Sequence, residues 1–249
     1  MLTAQRRQHV LDVLAREGKV LASSIAGQLG VSEDTIRRDL RELAAAGLLS
    51  RVHGGALPVS PGIPEYRLRE GQDRSAKERI ARAAAGLVRN GQVVIMDGGT
   101  TTLEVARNFS PSLRATVLTN SPPLAIALAD HPGVEVFLLG GRFLKEPRVT
   151  VGAGVVQELE RVRADICMLG VCSVHHEVGL TTLDYEEAQV KRAMVQGSAE
   201  VVGLAAAAKL ETAAPYQVAP IAELTYLVTD GRPDVTALYA AAGITVKTC

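Results

Sequence analysis

Residues able to hold an anion gather at one place in the chain, directly after an apolar run. Val93-Val94-Ile95-Met96 is followed by Asp97-Gly98-Gly99-Thr100-Thr101-Thr102 and then by a helical pattern. Glycines let backbone N–H groups approach a ligand, a helix N-terminus carries partial positive charge, and three hydroxyls add donors. Asp97 adds an acceptor for sugar hydroxyls. A plain strand-to-helix turn with a threonine cap would use the same residues, so position must decide between the two. Asn120, Gly141 and Gly170 each follow another apolar run, Glu187 lies early in a later helix, and Lys209 supplies a cation after a further run. Together these residues form the candidate effector-binding set.

A second chemistry lies near the N-terminus. Ile36, Leu40 and Leu43 stand at i, i+4 and i+7 and mark the buried face of a helix over 33–46. Arg38 then points almost opposite that face, Arg41 beside it, and Thr35 and Arg37 lie on the flanks. Outward guanidinium forks can bond guanine O6 and N7 and neutralise phosphates. Ser32 is placed as the N-cap of this helix. Arg51 and His53, on a glycine-rich hairpin over 48–56, extend the reach toward the DNA backbone or minor groove. The alternative is a solvated helix with its arginines paired to Asp34 and Glu42.

The elements that must carry these residues fall into two units. Helices over 4–17 and 22–29, ended by Gly18 and Gly30, precede the basic helix, and Val10, Val13, Leu14 and Ile25 give them an apolar stripe. Residues 1–57 therefore read as a mainly helical DNA-binding domain with a small β-wing. Leu57-Pro58-Val59-Ser60-Pro61-Gly62-Ile63-Pro64 cannot continue a helix, so 58–76 is expected to be a linker. From 77 to 249 apolar runs at 93–96, 115–119, 134–139, 164–170, 200–204, 224–228 and 244–247 alternate with helical patterns. That alternation predicts an open, mostly parallel α/β sheet with right-handed crossovers, whose ligands bind outside the carboxyl ends of the strands.

Bulk properties narrow the field. The 249 residues are 47% hydrophobic and 22% charged, as in a soluble globular protein. No run reaches the roughly 18–20 apolar residues of a membrane span, and Arg6, Arg7, His9 and Asp12 break any leader-like segment. A cytoplasmic protein is expected. Net charge is zero; residues 1–57 carry eight Lys/Arg against six Asp/Glu, and the remainder 19 against 21. Placement of cations, not total charge, must therefore support DNA binding. Cys167, Cys172 and Cys249 form no CxxC pair and are read as packing residues. His175-His176 lack a third ligand at metal spacing and read as surface residues, so neither metal nor cofactor is expected. Glu186, Glu187, Lys191 and Arg192 share a helix at spacings that permit i, i+4 pairs, and read either as a salt-bridged face or as polar contacts to the ligand mouth.

Ser32-Glu33-Asp34-Thr35-Ile36-Arg37-Arg38-Asp39-Leu40, with Leu43, Gly47, Leu49, Arg51 and His53-Gly54-Gly55-Ala56, resembles the signature of the DeoR family of bacterial sugar-metabolism regulators. Lys77-Glu78-Arg79-Ile80-Ala81, the 97–102 loop, Thr119-Asn120, Leu139-Gly140-Gly141, Gly179-Leu180-Thr181 and Glu186-Glu187-Ala188 with Lys191-Arg192-Ala193 are similar to the family's effector domain. The resemblance implies a fold like ribose-5-phosphate isomerase and glucosamine-6-phosphate deaminase, with a phosphorylated sugar altering operator affinity. One stretch departs from it. Where many relatives carry Asp-(Ser/His)-Ser-Lys, this chain has Ala205-Ala206-Ala207-Ala208-Lys209, which keeps only the cation. The expectation is a repressor of carbohydrate genes, not an enzyme, acting on duplex DNA as a homodimer or larger homo-oligomer. The alternatives are a sugar-phosphate isomerase or deaminase tethered to DNA, for which no acid–base set stands out, and an architectural DNA-binding protein, which has no use for a pocket.

Overall fold

The computed structural model describes residues 2–60 and 65–249; the Pro61, Gly62, Ile63 and Pro64 part of the expected linker lies outside them. The N-terminal unit runs α1 (Thr3–Glu17), β1 (Val20–Leu21), α2 (Ala22–Leu29), α3 (Glu33–Ala45), β2 (Ser50–Val52) and β3 (Gly55–Leu57). Gly18 ends α1 with φ 71°, its N–H bonded to Leu14 O, and Ser32 starts α3 by accepting from Thr35 N at 3.3 Å. Val10, Ile25, Ile36 and Leu40 fill the core between the helices. The wing is a β2–β3 hairpin, as its glycines predict, but β3 also pairs with β1 to make three strands. Gly55 must lack a side chain because a Cβ there would strike the Val20 carbonyl. Two residues are too short to show a period, which is why β1 was invisible in the sequence.

Pro58 to Ser60 run beside Ala213 of the second unit: Val59 bridges Ala213, and Ser60 N donates to its carbonyl at 3.3 Å. Beyond the undescribed residues the expected linker contains α4 (Tyr66–Gly71) and the first turn of α5 (Arg74–Ala85). Tyr66 is buried and anchors α4, an attachment that one aromatic in a polar stretch does not advertise.

The second unit is built on a seven-stranded sheet in the order β15-β14-β12-β9-β4-β5-β6. Its strands are β4 (Val93–Met96), β5 (Ala115–Thr119), β6 (Val134–Leu138), β9 (Ala164–Gly170), β12 (Ser198–Ala205), β14 (Tyr226–Thr229) and β15 (Thr245–Thr248). All six pairings are parallel, and the central stretches of the inner strands are apolar because helices cover both faces. On one face Val94 and Met96 pack with α5, α6 (Thr100–Arg107) and α7 (Pro122–Leu128). On the other Ile95 packs with α8 (Ala153–Glu160), α9 (Tyr185–Gln196) and α10 (Pro233–Ala241). The expected α/β architecture is present. Two additions have no counterpart in the sequence reading: a hairpin of β7 (Arg142–Leu144) and β8 (Val149–Val151), and an antiparallel sheet of β10 (Ser173–His175), β11 (Gly179–Thr182) and β13 (Tyr216–Ala219). Strands this short lack the periodic length that marks a strand. No helix among the described residues is long and apolar enough to cross a membrane.

One ion cluster ties α1 to α3. Asp39 is 1% exposed and accepts from Arg6 Nη2 at 3.2 Å and Arg7 Nε at 3.1 Å. Burial alone would raise the Asp39 carboxyl, but the two guanidinium bonds outweigh it and hold it below its ordinary 3.8. The clamp is complete above that ordinary value and is lost as pH falls through the lower native one. Asp39→Ala strands two guanidiniums and is expected to destabilise the N-terminal unit by about 2–3 kcal/mol. Hydrogen exchange of α1 and α3 in the full chain measures this; unchanged protection would show that the clamp contributes nothing.

Candidate functional site

The candidate DNA-binding set lies on α3 and the wing. Arg38, Arg41, Arg51 and His53 are exposed, and Arg38, Arg41 and Arg51 have no ion pair among the described residues. Arg37 is partly engaged, its Nη2 2.8 Å from Glu33. Arg6 and Arg7 are committed to Asp39, so the modest cationic surplus of this unit resolves into a few free guanidiniums on one side. Ser32 and Thr35 serve the helix start: their hydroxyls are 2.9 Å apart at the cap. Arg37, Arg51 and His53 line one cleft between α3 and the hairpin, and Arg51 and His53 also line a cleft facing His175 and Glu177 of the second unit. The two units are further joined by Lys19 and Glu177, 3.4 Å apart.

A cavity of about 490 Å³ opens at the carboxyl ends of β4 and β9. Gly98, Gly99, Thr100, Thr101, Gly170, Glu187 and Lys209 of the candidate set line it. Gly99, the residue before α6, has φ 149° and ψ 164°, a conformation open in practice only to glycine. Asp97 lies just beneath the wall, 1% exposed. Its Oδ2 accepts from Gly170 N at 3.2 Å and from the Lys191 ammonium, while the buried Oδ1 has no hydrogen-bond partner among the described residues.

Lys191 is the residue around which the site is arranged. Its Nζ meets Asp97 Oδ2, Glu187 Oε1 at 3.3 Å and Gly170 O at 2.9 Å. Burial opposes its charge, and the Asp97 and Glu187 carboxylates overcome that and hold Lys191 above its ordinary value. Lys209 has no such help. Burial lowers it to about 8, with its Nζ donating to Val171 O at 2.6 Å. Lys77 donates to the carbonyls of Arg69 and Gln72. Arg69, from α4, completes the cationic lining.

Besides Asp97, three candidate residues are not brought to the cavity wall. Thr102 is fully buried and its hydroxyl donates to Gly99 O at 3.0 Å, closing the first turn of α6. Asn120 is also buried, and its Nδ2 donates to Thr150 O at 3.0 Å, docking β8 against the end of β5. Gly141 precedes β7, where a Cβ would strike Val151 O and Val155. The β7–β8 hairpin takes up both positions, which is why they do not reach the cavity wall. Arg69 and Lys77 lie outside the candidate set, as does Lys191, whose helix face reads from the sequence as either ion-paired or touching the ligand mouth. The available signal for Lys191 was a charge one turn after Glu187 among Ala188, Val190, Ala193 and Met194, all buried.

The histidine reading also needs correction. His175 is 1% exposed, stacks on His176 at 4.6 Å between ring centroids, and joins it with Glu211 in a group whose ligand-type atoms lie within 4.8 Å. Glu177 N donates to His175 Nδ1 at 3.0 Å, which leaves Nε2 as the protonated nitrogen facing Glu211 at 3.4 Å. Tyr239 Oη donates to Val174 O at 2.9 Å and accepts from Glu211 N at 3.2 Å. The group is a hydrogen-bonded buttress behind the inter-unit cleft, formed because the fold returns Glu211 to β10.

Residues 6–61 match the DeoR-like helix-turn-helix domain, and residues 72–231 match the DeoR C terminal sensor domain. The chain is similar to the HTH-type transcriptional regulator GlpR of Haloferax volcanii, 38% identical over 250 residues that cover 99% of this chain and 98% of that protein. It is similar to the HTH-type transcriptional repressor GlcR of Bacillus subtilis, 35% identical over 236 residues covering 94% and 91%. Among solved structures it has a partial likeness to ribose 5-phosphate isomerase A of Methanocaldococcus jannaschii, at 17% identity and a TM-score of 0.41. That match covers 56% of this chain and 55% of the isomerase, about half of each. With both domains matched and similarity extending over nearly its whole length, the chain belongs to the DeoR family of transcription regulators.

Proposed function

We propose that this regulator is a repressor of carbohydrate-metabolism genes that leaves its operator when a phosphorylated sugar enters the cavity. The observation that carries this reading is the cavity itself: a Gly-Gly-Thr-Thr cradle and the cations Arg69 and Lys209 at the sheet's carboxyl edge, in a chain whose first unit exposes Arg38, Arg41 and Arg51. α3 enters the major groove, Arg38 and Arg41 reach bases and phosphates, and Arg51 and His53 follow the backbone from the wing. Ser32, Thr35 and Arg37 set the helix start and its flank. One winged helix spans few base pairs, so the DNA-bound unit is a dimer or larger, working in the cytoplasm on paired half-sites. The cavity serves binding rather than turnover. Asp97 and Glu187 both attend one ammonium, so neither stands free as a general base.

Arg38→Ala is expected to weaken binding about tenfold or more to a duplex selected by the wild-type protein, as loss of a base-contacting fork does. Gel-shift titration at fixed salt measures it, and wild-type affinity would remove Arg38 from the interface. Lys209 attracts an anion only as its ammonium, and its native value near 8 lies below the ordinary 10.5. Affinity for a phosphorylated sugar should therefore fall as pH rises through about 8, and Lys209→Met should weaken binding and flatten the profile. Calorimetric titration across pH 6.5–9.5, beginning with a panel of phosphorylated and free sugars, tests this; tighter binding at high pH would contradict it.

A further inference from the structure

The cations around the cavity differ in what already satisfies them. Lys191 is held by two carboxylates and a carbonyl, and Lys77 by two carbonyls. Lys209 has one carbonyl and donors to spare. Arg69 is the least satisfied: its Nε and Nη2 atoms are buried and have no hydrogen-bond partner among the described residues. Tyr66 lies 5.3 Å from the Arg69 guanidinium and offers a ring face but no acceptor in bonding range. Burial lowers Arg69 from its ordinary value, with Glu187 and Asp97 close enough to act on it through space but not bonded to it. A desolvated fork with idle donors beside a second desolvated cation is the arrangement that a dianionic oxygen group completes. Meanwhile Ala206 and Ala208 present only methyl groups to the same cavity, so the 205–208 stretch offers no polar side chain to an anion.

We propose that Arg69 grips the phosphate of the effector together with Lys209, in place of polar side chains at 205–208, and that this grip carries cavity occupancy to the DNA-binding unit. The proposal rests on the effector reading above and assigns the residue that couples it. Arg69 stands on α4, between the residues that leave the wing and the body of the sensor domain. Tyr66 seats that helix, with the Arg148 guanidinium 4.5 Å from its ring on one side. Lys77 of α5 ties its carboxyl end through the Arg69 and Gln72 carbonyls. A phosphate bonded to the Arg69 fork and to Lys209 fixes α4 against the sheet edge. Pro58 to Ser60, on the other side of the connector, are already paired with Ala213, four residues beyond Lys209. Both sides of the connector are thereby fastened near the cavity, and a ligand that fixes α4 shifts the balance of arrangements open to the head.

The test uses the full chain, with inorganic phosphate, glycerol 3-phosphate, fructose 1-phosphate and glucose 6-phosphate as probes and free glucose as the uncharged control. Calorimetric titration compares wild type with Arg69→Gln, whose fold is checked by circular dichroism. At least a tenfold loss of affinity for the phosphorylated probe that wild type binds best supports the assignment. Binding by Arg69→Gln within twofold of wild type overturns it and leaves the effector reading standing. Failure of every phosphorylated probe to bind wild type overturns both. A second measurement needs no variant: at saturating probe, amide exchange across 66–72 in wild type should slow at least fivefold. Unchanged exchange there overturns the coupling.

Discussion

An ammonium buried between two carboxylates, with a backbone carbonyl as its third partner, sets the geometry of the sensor domain. Lys191 on α9 reaches Asp97 at the end of β4, Gly170 at the end of β9 and Glu187 one turn earlier on its own helix. Such a cluster is not a large source of stability, because desolvating the charges consumes most of what their attraction returns. Its effect is positional. Three elements distant in sequence are held at one point at the sheet edge, and Gly170 permits this because a Cβ there would lie 3.2 Å from Asp97 Oδ2. The two negative charges that would repel an incoming anion are screened by the same ammonium.

With those carboxylates occupied, the character of the cavity passes to the remaining cations. Lys209 and Arg69 are both disfavoured as charges by burial, and each gains from an anion that water and protein do not supply. The Ala205–Ala208 stretch removes side chains that could otherwise have met that anion from the sheet side. The proposed recognition is consequently shifted toward α4, which is outside the sheet and adjacent to the connector. On the proposed reading, the residues that would hold ligand and those that join the domains are partly the same, the condition for one binding event to bias the other.

The DNA-binding unit solves a different electrostatic problem. A zero net charge gives no general attraction to a polyanion. Asp39 draws Arg6 and Arg7 into a structural clamp, Glu33 engages Arg37, and the free guanidiniums of Arg38 and Arg41 stay on the outer face of α3. Attraction is local rather than diffuse, which favours sites that fit over random duplex. The clamp also fixes the orientation of α3 relative to α1.

Local physics made much of this readable from the residues alone. The 3.6-residue stripe of Ile36, Leu40 and Leu43, the Ser32 cap and the glycines at 18, 30 and 54–55 specify a basic helix and wing through neighbours a few residues apart. The apolar runs announced a buried parallel sheet, and the position of Asp97 to Thr101 after the first of them announced the cradle. Pairings across long separations were not readable. Lys191 and Asp97 are 94 positions apart and meet only because β9 lies beside β4. Asn120 and Gly141 looked like ligand residues at strand ends until the short β7–β8 hairpin claimed them. Arg69 looked like one charge in a polar linker. The tertiary structure decided these cases because burial, which turns an ordinary charge into a demanding one, depends on what the rest of the chain places over it.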